Sequence, residues 1–210
     1  MKCIFSKCII GLLATLVVNS VEGVQTYTQK VGGITWTYRI VDGDAWVGAG
    51  SYMSSGAVPM STSGSITIPS VLGGKQVRGI SSYAFSDCEN IMSVTLPNSI
   101  TNIGWYAFER CKSLSSITIP SSVRSIGYGA FDSCKSLISV VIPDGVMDIM
   151  GSTFYNCKSL ADVTMPNGVT NIGRDAFCYC TNLTCITIPS SIRCIGESAF
   201  DGCNGLQVFI

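Results

Sequence analysis

Residues 112–134 read KSLSSITIPSSVRSIGYGAFDSC, and their pattern decides the fold. Leu114, Ile117 and Ile119 have the spacing of a short strand, with Ile117 and Ile119 on one face. Pro120 ends that strand by removing a ladder donor. Val123 and Ile126 point back inward from the connecting arc, and Gly127 relaxes the backbone between them and the next turn. Ala130 and Phe131 bring a short helical or 3₁₀ turn against the strand, and Cys134 closes the unit. Roughly a third of the positions are apolar and inward, more than one such unit can bury alone.

The unit is not alone. Phenylalanine recurs at Phe85, Phe108, Phe131, Phe154, Phe177 and Phe200, always 23 residues apart. Cysteine follows three residues later at Cys88, Cys111, Cys134, Cys157, Cys180 and Cys203. Three further on stand Ile91, Leu114, Leu137, Leu160, Leu183 and Leu206, and proline keeps the register at Pro97, Pro120, Pro143, Pro166 and Pro189. Stacked neighbours turn the inward columns into one continuous core. The pattern predicts an α/β repeat solenoid, right-handed and curved, of about six 23-residue units. Each unit supplies one parallel strand and adds ~4.8 Å of height. The strands are expected at residues 92–96, 115–119, 138–142, 161–165 and 184–188. The side chains between the inward ones face out along a concave parallel sheet. They are Ser93, Ser116, Ser139, Asp162 and Cys185 in one column and Thr95, Thr118, Val141, Thr164 and Thr187 in the other. This mostly hydroxyl, β-branched surface is the candidate binding face.

The composite S-x-T-I-P-x-S-V-x-x-I-G-x-x-A-F-x-x-C-x-x-L closely resembles the BspA-like, Treponema-type leucine-rich repeat, over residues 65 to 210. Nearly every column is kept. Met150 and Thr153 depart from it, replacing Gly and Ala in the fourth unit, and are expected to crowd and slightly polarise that turn without breaking the stack. The resemblance implies a surface or secreted protein that adheres to host proteins or to other cells.

Residues outside the repeat are read from their own chemistry. Lys2 and Lys7 precede an apolar stretch, Cys8 to Val18, too short for the ~20 residues that span a bilayer. Residues 1–23 are therefore expected to be a signal peptide, with small residues Ser20 and Gly23 as cleavage points. Cys3 and Cys8 stand before that stretch or at its start, whereas a lipid-anchoring cysteine would follow it. Residues 24–64 are expected to hold a small β-hairpin cap and a loop: ITWTYRIV alternates over Ile34 to Val41, Asp42-Gly43 signals a tight turn, and Ala45 to Val47 begins the return. Such a cap would cover the apolar end of the stack, with Trp36 or Trp46 as the alternative, a ligand site. The solenoid then runs over 65–210. Its first arc, SVLGGKQVRGI, has five more residues than the later ones and reads as a surface excursion. The chain stops just after the sixth Phe–Cys pair at LQVFI, which leaves a true terminus and a truncation both open.

Lys and Arg number 13 and Asp and Glu 13, so the net charge is zero and no basic run points to nucleic acid. Histidine is absent, which rules out a Ser-His-Asp or Cys-His site within this chain. Phosphate loops, zinc-protease motifs and dinucleotide fingerprints do not occur. Cys178, Cys180, Cys185 and Cys194 could suggest zinc, but the register puts Cys180 inward, Cys185 on the concave face and Cys178 and Cys194 in outward columns, where they do not converge. Asp42-Gly43-Asp44 offers two carboxylates where calcium wants six to eight oxygens. The phased cysteines project in parallel and are expected as buried thiols rather than disulfides. No catalytic residue, cofactor or metal is expected. The predicted protein is a secreted or cell-surface monomer, without a transmembrane segment in the mature chain, binding an extracellular protein or glycan. The alternatives are a structural spacer or surface-layer module, and a non-catalytic repeat region of a longer secreted protein.

Overall fold

The computed structural model describes residues 18–21, 24–51 and 56–209. Val18–Val21 (β1), Val24–Val31 (β2), Ile34–Val41 (β3) and Asp44–Val47 (β4) pair antiparallel in sequence order. Gly64–Thr67 (β5) opens the repeat, followed by Val71–Leu72 (β6) and Lys75–Ile80 (β7). Each later coil has two short strands: Ile91–Thr95 (β8) and Asn102–Ile103 (β9), Ser116–Thr118 (β10) and Ser125–Ile126 (β11), Ser139–Val141 (β12) and Asp148–Ile149 (β13). The series continues with Asp162–Thr164 (β14) and Asn171–Ile172 (β15), Cys185–Thr187 (β16) and Cys194–Ile195 (β17), and ends at Gln207–Phe209 (β18). The chain is a β-solenoid of about six turns with 23-residue spacing. Its first row of strands coincides with the predicted ones, and its pairings within each row are parallel from β8 onward.

Three expectations need correction. The α/β class does not hold: the described residues contain no helix. The predicted N-terminal hairpin, β3 with β4 across Asp42-Gly43, is only part of what forms. Four strands pair antiparallel, and through β4 they join β7, β9 and β11, the second row of the solenoid. The long first arc is not a surface excursion: β6 and β7 pair antiparallel, with Leu72 and Val77 fully buried. Leu72, Val77 and Ile80 point inward while Val71 stays exposed, and burial of those three side chains orders the insertion into the core rather than looping it out. The leader reading falls mainly outside the described residues; the part of it at Val18–Val21 pairs with β2.

The missing helix has a physical cause. Around each phenylalanine from Phe85 to Phe177, alternate amides leave the coil. The N–H groups of Tyr106, Phe108 and Arg110 donate to the carbonyls of Tyr128, Ala130 and Asp132 in the next coil, at 2.9, 2.8 and 2.8 Å. Those of Glu109 and Cys111 donate within the coil, to Tyr106 and Phe108. Two left-handed residues per coil turn the peptide planes to allow this: Tyr106 and Arg110 have φ of 53°. The same two columns are left-handed from Tyr83 and Asp87 through Ser198 and Gly202. Each such non-glycine residue costs about 1–2 kcal/mol, offset by an inter-coil hydrogen bond and by the ring column that the arc carries. The six rings lie nearly parallel, with centroids 4.9 to 5.5 Å apart.

The phased cysteines are free, and all six are buried. Their thiols are not idle. Each of Cys111, Cys134, Cys157, Cys180 and Cys203 donates to the carbonyl of the phenylalanine 26 residues back, at 3.1 to 3.2 Å. Burial pushes the thiols of Cys111, Cys134 and Cys157 well above their ordinary value, and that of Cys88 up to about 11.

One junction of the second row differs from the rest of that row. In the second row, Gly104, Gly127, Gly173 and Gly196 each donate to the isoleucine carbonyl of the coil before, at 2.7 to 2.9 Å. Met150 occupies the same column and makes no such bond to Ile126, nor does Met147 to Arg124, and β11 does not pair with β13. A Cβ at Gly173 would lie 2.5 Å from the backbone nitrogen of Gly151. The real Cβ of Met150 therefore has no room unless the coils part. Thr153 adapts, 1% exposed, with its hydroxyl donating to the Met150 carbonyl at 2.7 Å. The ring column runs on unbroken across the junction, Phe131 to Phe154 at 5.5 Å. The expected crowding is real: the second-row ladder is open at this junction, β10 and β12 of the first row do not pair there either, and the ring stack is spared.

Candidate binding face

The first-row strands are three residues long in most coils, and their burial reads exposed, buried, exposed. Ile117, Val140, Val163 and Ile186 enter the core, so both flanking residues must leave it. The structure thereby brings all ten predicted residues to one face. Ser116 pairs with Ser93 and Thr118 with Thr95; Ser139 pairs with Asp162 and Val141 with Thr164. Nine are exposed, and Ser93 is half-buried because its hydroxyl donates to that of Ser65 at 2.8 Å. Ser65 and Thr67, in register with Ser93 and Thr95, extend the columns by one coil. Ser65 and Thr67 were not among the predicted face residues; their S-x-T spacing was the available signal.

The face is polar without being charged: Asp162 is its one carboxylate among the predicted residues. It is also uneven. Val141 interrupts the threonine column at 63% exposure, and Ile138 beside it is 56% exposed. Between β14 and β16, which do not pair, a shallow crevice of about 230 Å³ is lined by Asp162, Thr164, Cys185 and Thr187. A hydroxyl, a carboxylate and a thiol around such a crevice can donate and accept hydrogen bonds.

The remaining cysteines separate in space. Cys185 and Cys194 are exposed, on different strand rows, while Cys178 is buried. This corrects its assignment to an outward column: Cys178 follows Phe177 in the arc, where the next coil covers it. Trp36 is buried as well, its ring edge-on to Phe85 at 6.4 Å, so it prolongs the phenylalanine column. No helix of the described residues is long and apolar enough to cross a membrane.

A model of the BspA type leucine rich repeat region matches residues 65–207 in 6 copies. The chain belongs to this family. Its fold is similar to that of the T. pallidum leucine-rich repeat protein, at 26% identity and a TM-score of 0.64, over 82% of this chain and 88% of that one. A leucine-rich cell surface protein from Faecalibacterium prausnitzii is similar at 28% identity and a TM-score of 0.61, over 86% of this chain and 54% of that one. The pneumococcal vaccine antigen PcpA, at 23% identity and a TM-score of 0.61, shares the fold; this BspA-type chain covers 47% of its length. No curated protein matches the chain.

Proposed function

We propose that this BspA-type chain is a non-catalytic binding module, exported to the cell surface or beyond, which holds an extracellular protein or glycan on its first-row sheet. The observation that carries the reading is the face itself. Five successive coils carry the same two outward columns, in register between β8 and β10 and between β12 and β14, above a continuous buried core. Hydroxyls on a rigid, extended, nearly uncharged surface suit a partner bound through many hydrogen bonds with little ordering cost. The similarity to a cell surface protein supports the location. The N-terminal strands serve in this reading as the cover of the stack's first end, since Trp36 packs edge-on against Phe85, the first ring of the column.

The test is a screen of the purified protein against immobilised extracellular-matrix proteins and glycans, with Thr118→Arg as the face-blocking variant. Binding that Thr118→Arg abolishes is the expected result. A spacer without ligand gives no binding to either class, and binding indifferent to Thr118→Arg removes the sheet from the reading.

A further inference from the structure

The second row of strands carries a surface that breaks the repeat's own rules. Trp105 and Tyr128 occupy one outward column of successive coils and are 60% and 39% exposed. Met147 and Met150 follow on the next coil at 64% and 40%. The methionine columns are otherwise Arg78, Thr101, Arg124, Thr170 and Arg193, and Ser81, Gly104, Gly127, Gly173 and Gly196. Large apolar side chains thus replace polar residues or glycine at positions open to water. The rings are held against the backbone: a Cβ on Gly127 would lie 2.6 Å from Cδ1 of Trp105, and one on Gly151 would lie 2.7 Å from Cε2 of Tyr128. Gly127 and Gly151 lack a side chain where the rings rest. The same coil junction has lost the ladder bonds of Met147 and Met150. Exposed apolar surface and forfeited hydrogen bonds both cost stability, and local rule-breaking of this kind concentrates at functional sites.

Arg124 stands one coil before Met147 in the same column, at the edge of this patch. Its side chain extends over Gly145 of the next coil, and Nη1 donates to the carbonyls of Ser121 and Val123 at 2.6 and 3.1 Å. It takes part in no ion pair among the described residues. Its charge is fixed in direction by the two carbonyls and uncompensated.

We infer that Trp105, Tyr128, Met147 and Met150, with Arg124, form a docking surface for a protein segment presenting apolar side chains beside a carboxylate. Trp, Tyr, Met and Arg are the residues enriched at the centres of protein–protein interfaces. Two methionines give the surface the adaptable, polarizable character that fits a protein side chain better than a sugar ring. The carboxylate is assigned by complementarity to Arg124, with which it pairs bidentately. This inference rests on the chain being a binding module, but it places a partner on the second row rather than on the first.

The experiment pans a displayed random-peptide library on the full secreted chain, then measures the synthesised consensus peptide by isothermal titration. The expected consensus combines aromatic or aliphatic residues with an Asp or Glu. Its affinity falls at least ~10-fold with Trp105→Ala and with Arg124→Glu, the scale of an interface hot spot. It is unchanged by Thr118→Arg, and a peptide with Lys in place of the carboxylate regains affinity for Arg124→Glu. All three substitutions are at exposed positions, and matched thermal midpoints confirm folding. A consensus lost with Thr118→Arg but not with Trp105→Ala overturns this surface and leaves the binding reading standing. Absence of any enriched peptide class, or binding to a glycan array that Trp105→Ala abolishes, overturns the protein partner.

Discussion

Replacing Phe131 by alanine tests the register and the energetics of the stack together. The ring is fully buried and lies between Phe108 and Phe154, 5.4 and 5.5 Å away and within 2° of parallel to each. Large-to-small changes at a buried aromatic cost about 3–5 kcal/mol through lost transfer energy and residual cavity. Both ring faces here are engaged by other rings, and each such pair adds about 0.5–1.5 kcal/mol beyond area burial. The cavity also cannot collapse, because the inter-coil hydrogen bonds of Phe131 and of Ser133 hold the arcs apart at fixed height. The expected loss therefore lies in the upper half of the range, about 4–5 kcal/mol, or on the order of 10 °C in Tm for a domain of this size. Phe200→Ala is the internal comparison. That ring is half-buried and has one described ring neighbour, Phe177, so its loss should cost less than half as much. Urea unfolding followed by circular dichroism gives both values. Equal losses at the two positions, or an unchanged midpoint for Phe131→Ala, would refute the idea that stacked rings carry the solenoid.

Thiol labelling of the native protein with mass-spectrometric readout should modify Cys185 and Cys194 quickly and leave Cys88, Cys111, Cys134, Cys157, Cys178 and Cys180 unmodified, because reaction needs an accessible thiolate; rapid native labelling of Cys134 would contradict this. Stability should also fall at high pH. Burial raises the thiols of Cys111, Cys134 and Cys157, so the folded chain keeps protons that an unfolded thiol, with a value of about 8.5, gives up. The contribution is complete below about pH 8 and is lost above it at about 1.4 kcal/mol per thiol per pH unit. Urea midpoints under reducing conditions at pH 8 and pH 10 measure the slope, which Cys134→Val should make shallower; an identical slope in that variant would mean that Cys134 does not titrate from a buried state.

Much of this fold was legible because a strict period multiplies every signal. The inward columns at Phe131, Cys134, Leu137 and Val140 are buried as the spacing demands, and strand alternation alone delivers the outward face. What the period conceals is backbone conformation. The left-handed columns hold Tyr83, Tyr106, Gly129, Ser152, Asp175 and Ser198, and Asp87, Arg110, Ser133, Asn156, Tyr179 and Gly202. Most of these residues do not announce a positive φ, so the arc reads as helical. One glycine in each column, Gly129 and Gly202, was the available hint that the position tolerates it. Cys178 was misplaced for a related reason. Its column, with Ser86, Glu109, Asp132, Tyr155 and Asp201, looks polar and outward, yet Glu109 is only 8% exposed. Glu109 stays there because its carboxylate accepts from Ser86 at 3.0 Å and faces Arg110 at 3.3 Å, partners that lie on the surface of the arc and satisfy a carboxylate that the coil covers.

The cysteine column shows why a hydrophobic reading of a residue can be right and incomplete. Alanine or valine would satisfy the packing requirement equally well, and serine the polar one. Each phenylalanine carbonyl in the arc has two lone pairs to place in a dry interior. The carbonyl of Phe108 accepts the Cys111 N–H of its own coil at 3.2 Å and the Cys134 thiol of the next coil at 3.1 Å. A small side chain with a weak donor fills that position: it completes the carbonyl without the desolvation cost of a hydroxyl. With each thiol donating to a carbonyl, the free cysteines one coil apart form a ladder of hydrogen bonds. Substituting Cys134 by alanine thus removes a donor from the Phe108 carbonyl as well as a contact from the core, whereas adding an oxidant should leave the column unchanged.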